Sequence, residues 1–263
     1  MKKQDAAGLT LHFDPDGALL ESTLDCEYDV FAERYGEDRS ALEHYHSPFY
    51  AASTFLSLAD SQGDVVAMAR LVYPSPAGLI TTRDVAGEPW NVDARASLAA
   101  AGLDPARTWD VSTVCARKSS RGQTALLAAA IYHGLIKTMR ANRVDGFTAM
   151  LDARIHRILN MLGVVMHPLP GVETLPFWGS PATTPAYANF NQLIDGQRRM
   201  SPDAYRLVTL GVGLDGIRIP DNEAFVLHRP RSVTLPQITQ RTVDLAASAA
   251  GSAHPEAVEL AHR

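Results

Sequence analysis

Residues 108–143, TWDVSTVCARKSSRGQTALLAAAIYHGLIKTMRANR, set the fold class. The first ten, 108–117, alternate β-branched and polar side chains and read as a strand. Residues 124–143 are good helix formers with Leu126, Ala130, His133 and Leu135 in helical register, and they read as one long helix. Between them lies RKSSRGQ, which joins a strand end to a helix start through a basic, glycine-bearing turn.

The flanking sequence continues the alternation. Residues 144–151 (VDGFTAML) read as a strand. Residues 152–163 read as a helix opened by Asp152 and closed by Gly163, and 164–169 (VVMHPL) as a further strand. Upstream, residues 18–36 place Leu20, Leu24, Tyr28 and Phe31 at helical spacing before the stop residue Gly36. Residues 53–74 give a β-hairpin whose turn is Asp60–Asp64 and whose second strand carries Arg70. Residues 180–211 read as a loop followed by helical segments, with Ser201 and Pro202 at an N-cap and first helical position. Strands and helices alternating behind a hairpin predict an α/β (α+β) domain with a mixed sheet, over residues 1–215. A partly flexible extension is expected over 216–263, Ala-rich at its end.

The chain has 263 residues, 46% of them apolar, enough for a sizeable core. A net charge of −5 gives no general attraction to nucleic acid or anionic lipid, so any anion site must be local. Two cysteines, Cys26 and Cys115, do not make a disulfide framework. No stretch has the length of a membrane span and the N-terminus has no apolar leader core, so a soluble cytoplasmic protein is expected.

Two readings of the basic turn stand. Amides opening a long helix suit a phosphate, with Gly122 allowing close approach and Arg117, Lys118 and Arg121 screening its charge. Alternatively, the turn is merely solvated. Three cations beside a helix N-terminus oppose its dipole by roughly 0.3–1 kcal/mol each, which disfavours that turn without an anion.

Strand, RKSSRGQTALL, long helix, strand, DARIHRILNMLGV and strand together resemble the acyl-CoA binding core of the GNAT acyltransferase superfamily. Within it the chain looks most like the acyl-homoserine lactone synthases and long-chain N-acyl amino acid synthases. The stretches that carry this likeness are YDVFAERYG (28–36), HYHSPFYAASTFLSLADSQGDVVAMARLVYP (44–74) and WDVSTVCAR (109–117), with PAYANFNQLIDG (185–196) echoing a closing strand and helix. The resemblance implies a mainly antiparallel twisted sheet flanked by helices. It also implies an acyl-CoA or phosphopantetheine-linked acyl group as co-substrate, with Val114, Cys115 and Ala116 along the pantetheine arm and Arg117, Lys118, Arg121, Gly122, Gln123 and Thr124 about the phosphates. Arg70 falls at the family's Arg-Leu-x-x-Pro position, and Asp110 and Ser112 fall in its Glu-x-Ser-Arg. The departures are Glu27 and Thr113 where that family has arginines, and a missing tryptophan after the first helix. Acyl transfer to an amine other than a lactone-forming one is therefore expected.

Such a reaction needs a base, oxyanion donors and help for the leaving thiol. On a regular strand Asp110, Ser112, Val114 and Ala116 share one face. Asp110 either holds the acceptor ammonium and takes its proton, or caps a neighbouring turn. Arg70, on an apolar strand, either meets a substrate carboxylate or Asp110, or reaches solvent. Glu43, His44 and His46 are placed in a loop near the acceptor, where a histidine serves as base or is surface decoration. No ligand cluster points to a metal. Cys115 lacks a partner for covalent catalysis. Met161, Met166 and Phe177 line either an acyl tunnel or the core, and Trp178 and Tyr187 are equally ambiguous. The resulting expectation is an N-acyltransferase using a small-molecule amine or amino acid, with acyl carrier protein as a possible docking partner. A non-catalytic thioester-binding module and a short-chain acetyltransferase are the rival expectations.

Overall fold

The computed structural model describes residues 8–118 and 121–228, with only the backbone described at 121–123. One compact unit runs to Leu227 and holds the whole sheet and the helices that cover it. Its elements are β1 (Leu9–Phe13), α1 (Gly17–Tyr35), α2 (Arg39–His46), β2 (Ser53–Ala59), β3 (Val65–Val72), α3 (Ile80–Ala86), α4 (Ala94–Ala100), β4 (Thr108–Ala116), α5 (Arg121–Ala141), β5 (Gly146–Asp152), α6 (Ala153–Met161), β6 (His167–Pro168), β7 (Leu175–Phe177), β8 (Ser180–Asn189), α7 (Phe190–Met200) and β9 (Ile217–Arg218). The strands form one sheet in the order β6-β8-β5-β4-β3-β2-β1-β9, with β7 on β8. Pairing is antiparallel except at β4–β5 and β1–β9. The mixed, mainly antiparallel α/β sheet expected from the sequence is present.

Local chemistry explains most boundaries. Helix α1 ends where Gly36, at φ +71°, donates its N–H to the Ala32 carbonyl. The β2–β3 turn closes on the Asp60 carboxylate, which accepts from the N–H groups of Gln62 and Asp64. Asp152 caps α6 by accepting from Arg154 N–H, and Gly163, at φ +64°, follows it. β4 and β5 are parallel neighbours, so they need a crossover, and α5 provides it.

Three local readings are corrected. Residues 180–189 are strand β8 rather than loop. Pro185 is tolerated because its backbone polar side faces β6–β7, where its carbonyl accepts from Leu169 N–H at 2.9 Å. Of 164–169, only His167 and Pro168 pair, with Tyr187 and Ala186. Residues 43–46 belong to helix α2, begun by Asp38 accepting from Ser40 N–H, and are not a loop.

Helix α5 packs Leu127, Ile131 and Leu135 over one sheet face in the main core with Leu11, Leu56 and Leu71. At Gly134 a Cβ would lie 3.0 Å from a Leu11 methyl, so glycine sets how closely α5 approaches β1 and β2. Helix α1 covers the other face with Leu24, Cys26 and Tyr28 against Met68 and Phe55. No described helix is long and apolar enough to cross a membrane.

Residues 217–227 pack on this same unit. Ile217 and Arg218 pair with Leu9 and Thr10, and Phe225 is fully buried against Phe13 at 6.0 Å between ring centroids. Truncating Phe225 to alanine is expected to cost about 3–5 kcal/mol, as for other buried phenylalanines. A urea midpoint unchanged by Phe225→Ala would show that this segment adds nothing to the fold.

Candidate active site

The site starts from a backbone irregularity. Strand β4 faces β3 with Val114 on Ala69 and Thr113 on Arg70, but then Val111 on Leu71 and Asp110 on Val72. Ser112 is the extra residue of a β-bulge. The bulge reverses the side-chain alternation. Asp110 therefore shares a face with Thr113 and Cys115, toward α1, while Val111, Val114 and Ala116 pack into the core under α5. The expected common face of Asp110, Ser112, Val114 and Ala116 does not exist, because that expectation assumed an unbroken strand.

Beside the bulge, β4 leaves β5. The two pair at only three positions, Thr108–Gly146 to Asp110–Thr148, although β4 continues to Ala116 and β5 to Asp152. The gap opens into an apolar cavity of about 150 Å³ walled by Val111, Val114, Met139, Ala149, Leu151 and Phe190. On the α1 side is a second, more polar pocket of about 100 Å³ bearing His46, Thr81, Asp110, Trp178 and Ser180. Phe31, Tyr35, Ser112, Thr113, Met150 and Asp152 line both. Ser112 stands at their junction, its Oγ 3.4 Å from His46 Nε2.

Asp110 is fully buried and accepts from Thr81 N–H at 2.6 Å and Thr81 Oγ1 at 3.0 Å, so it caps the N-terminus of α3 from a distant strand. Burial pushes its carboxyl up to about 7 against the pull of the two Thr81 donors. For His46, burial and the Arg70 charge bring the imidazole down to about 3, so it is neutral near pH 7.

Arg70 meets neither Asp110 nor solvent. Its guanidinium is fully buried and grips Glu27 with two hydrogen bonds, the Nε one at 3.0 Å, while the Phe55 ring lies 4.7 Å away. Burial pushes the Glu27 carboxyl up, but the Arg70 charge and its hydrogen bonds outweigh this and hold Glu27 at about 2. Glu27 stands where the resemblance places an arginine, which is why Arg70 has an internal partner.

The other expected site residues scatter. Glu43 is bonded to Arg39 at 2.9 Å, and His44 is exposed; within 43–46 the pocket is lined by Tyr45 and His46. Arg117 and Lys118 pair with Asp29 and Glu33 of α1. Arg121, Gly122 and Gln123 form the first turn of α5, their side chains lying outside the described residues together with Ser119 and Ser120; Thr124 is exposed. The Cys115 thiol turns to the Cys26 thiol. Met166 and Phe177 line the two pockets, whereas Met161 is exposed. Tyr187 packs in a cluster with Trp90 and Leu103.

Sequence reasoning missed Thr81, Tyr45, Asp152 and Ser180 as pocket residues. Asp152 accepts from Ser180 Oγ at 2.6 Å and from Arg154 N–H at 2.8 Å, which hold it below the ordinary carboxylate range despite burial. Trp178 and Gly179 join β7 to β8 as a two-residue turn with φ of +44° and +66°, the type I′ pattern that favours Asn-Gly. A bulky residue in that first position costs about 1–3 kcal/mol. The indole is held there against Tyr45, 4.5 Å between ring centroids. Among the described residues, no cluster of three or more His, Cys, Asp or Glu is placed to hold a metal.

No protein-family model matches the chain, and no curated protein matches it. Solved structures do. The CoA-dependent acyl-homoserine lactone synthase BjaI with MTA superposes with a TM-score of 0.51 at 16% identity, over 83% of this chain and 96% of that one. The same protein with SAM and isopentyl-CoA gives 0.50 at 16% identity, over 83% and 97%. FeeM, an N-acyl amino acid synthase from uncultured soil microbes, gives 0.51 at 11% identity, over 72% and 93%. The chain has the fold of these synthases, a GNAT-like fold.

Two stability measurements probe the buried charges. Glu27→Ala strands the Arg70 guanidinium and is expected to cost about 3–5 kcal/mol in urea unfolding, whereas replacing both residues by apolar ones of similar volume restores most of it. Asp110 is raised in the folded state, from 3.8 to about 7, so the native chain binds its proton more tightly and loses stability as pH rises through that window. Relative to Asp110→Asn, the wild type should weaken by up to about 1.4 kcal/mol per pH unit between pH 4 and 7. Parallel pH–stability curves would contradict this.

Proposed function

We propose that the protein is an N-acyltransferase that moves an acyl group from a CoA or acyl-carrier-protein thioester to a small amine or amino acid by direct attack. The observation that carries this reading is the parting of β4 from β5, which joins an apolar cavity to a polar pocket at Ser112 and Thr113. An acyl chain fits the first, an acceptor the second, and their reacting atoms meet at the junction. The BjaI structure with isopentyl-CoA and SAM supports it, since that protein pairs a thioester with an amine-bearing molecule on the same fold.

In this reading the backbone of Val114–Ala116 runs along the donor's arm, and the first turn of α5 with Arg117, Lys118 and Arg121–Thr124 faces its phosphates. Backbone N–H groups of β4 that β5 no longer pairs with serve the oxyanion. Asp110, near 7, takes a proton from the acceptor ammonium and passes it to solvent. The freed nitrogen forms the C–N bond, the C–S bond breaks, and the second nitrogen proton ends on the departing sulfur. Ser112, beside neutral His46, donates a hydrogen bond to that thiolate as it leaves. Arg70 acts from behind, fixing Glu27 and the electrostatics around His46.

Thiol release from octanoyl-CoA or octanoyl carrier protein, followed across a panel of amines, tests this. Amine-dependent release is expected, with Asp110→Asn lowering kcat by about 10²–10⁴ and removing a pH limb near 7, while donor binding by native mass spectrometry is preserved. Donor binding without release for any amine would leave a thioester-binding module instead. Absence of donor binding would overturn the site altogether.

A further inference from the structure

Acceptor chemistry is written in the charges of the second pocket. Its lining includes two carboxylates, Asp110 and Asp152, and among its described residues no lysine or arginine. The nearby cations each form an ion pair and none of them lines this pocket, although Arg70 Nη1 makes no hydrogen bond. Arg70 lies on Glu27, Arg83 on Asp84 at 2.8 Å, and the exposed Arg154 on Asp152 at 3.3 Å. The two helix N-termini that reach the pocket are occupied as well, α3 by Asp110 and α6 by Asp152. An acceptor carboxylate would therefore meet two acids and no cation in the lining, whereas an ammonium would meet Asp110, and Asp152 in competition only with the exposed Arg154. The rest of the wall mixes hydroxyl and aliphatic side chains with the aromatic rings of Phe31, Tyr45 and Trp178, and the strained turn presents the indole there. Aromatic faces attract cations and pack against flat apolar bodies.

We propose that this pocket accepts a primary amine that carries no carboxylate, its nitrogen toward Asp110 and Asp152 and an aromatic or apolar body against Phe31 and Trp178. The proposal narrows the acceptor of the acyltransferase reading and rests on that reading for its chemistry. It excludes α-amino acids, which that reading left open.

Calorimetric titration of the full chain, without donor, uses three matched probes: phenethylamine, phenylalaninamide and phenylalanine. The first two are expected to bind, and phenylalanine at least about tenfold more weakly, because only it adds a negative charge. Phenylalaninamide keeps the bulk of phenylalanine without the charge, so loss of both would assign the discrimination to size and overturn the proposal. Equal or tighter binding of phenylalanine, or no binding of any probe, also overturns it. Asp152→Asn retains a capping side chain for α6 and should weaken phenethylamine about tenfold; unchanged affinity would remove Asp152 from the site. Octanoyl-CoA binding is measured in parallel. Amine selectivity without donor binding would support this pocket and sink the acyl-transfer reading, so the two failures are distinguishable.

Discussion

One extra residue in a strand organises the site. Without the bulge at Ser112, β4 would keep its alternation, and the side chains beyond Asp110 would exchange faces. With it, Asp110 and Thr113 both face α1, Val111 and Val114 both face α5, and Ser112 is left between them. The same irregularity accompanies the early end of β4–β5 pairing. Backbone groups released from a ladder must be satisfied elsewhere, so a gap in the middle of a sheet is costly unless something enters it. In the acyltransferase reading proposed above, the thioester donor is what enters the gap.

Burial acts on two acids nearby with opposite results. Glu27 and Asp110 are both fully buried, but Glu27 has a bidentate arginine and remains charged to about pH 2, whereas Asp110 has two neutral-group donors from Thr81 and rises to about 7. The pair Arg70–Glu27 is a structural unit whose charges cancel inside the fold. Asp110 is left near the middle of the physiological range, where a carboxyl exchanges protons readily. Separation of these roles follows from which partner each acid has, since their burial is the same.

Elements bounded by turn and cap chemistry were legible in the sequence: α1 through Gly36, the hairpin through Asp60–Asp64, α6 through Asp152 and Gly163. The β4–α5–β5 unit was legible through its change of period. Strand β8 was not, because two prolines and a run of small and polar residues mimic a loop, and pairing with β5 overrides that local preference. The bulge left no mark either, since Ser112 is neither glycine nor out of pattern. Asp110 was singled out by its strand position, but its partner Thr81 is 29 residues away and emerges only from packing. The partner of Arg70 was missed for the same reason, being 43 residues distant on α1.

The basic turn that first suggested an anion has partners for two of its cations. Arg117 and Lys118 lie on Asp29 and Glu33, on the acidic outer side of α1. Both pairs are solvent-exposed, and such pairs contribute about 0.2–1 kcal/mol. A charge-assisted hydrogen bond to a phosphate is worth about 1.5–3 kcal/mol, so neither pair would keep its cation from an incoming anion. Holding the two side chains along α1 also offsets the unfavourable crowding of positive charge beside the N-terminus of α5, which the sequence alone left unexplained. The acidic face of α1 thus accounts for how a cationic turn is tolerated when no anion is bound, and in the proposed reading an incoming phosphate draws on Arg117 and Lys118 together with the amides that open α5.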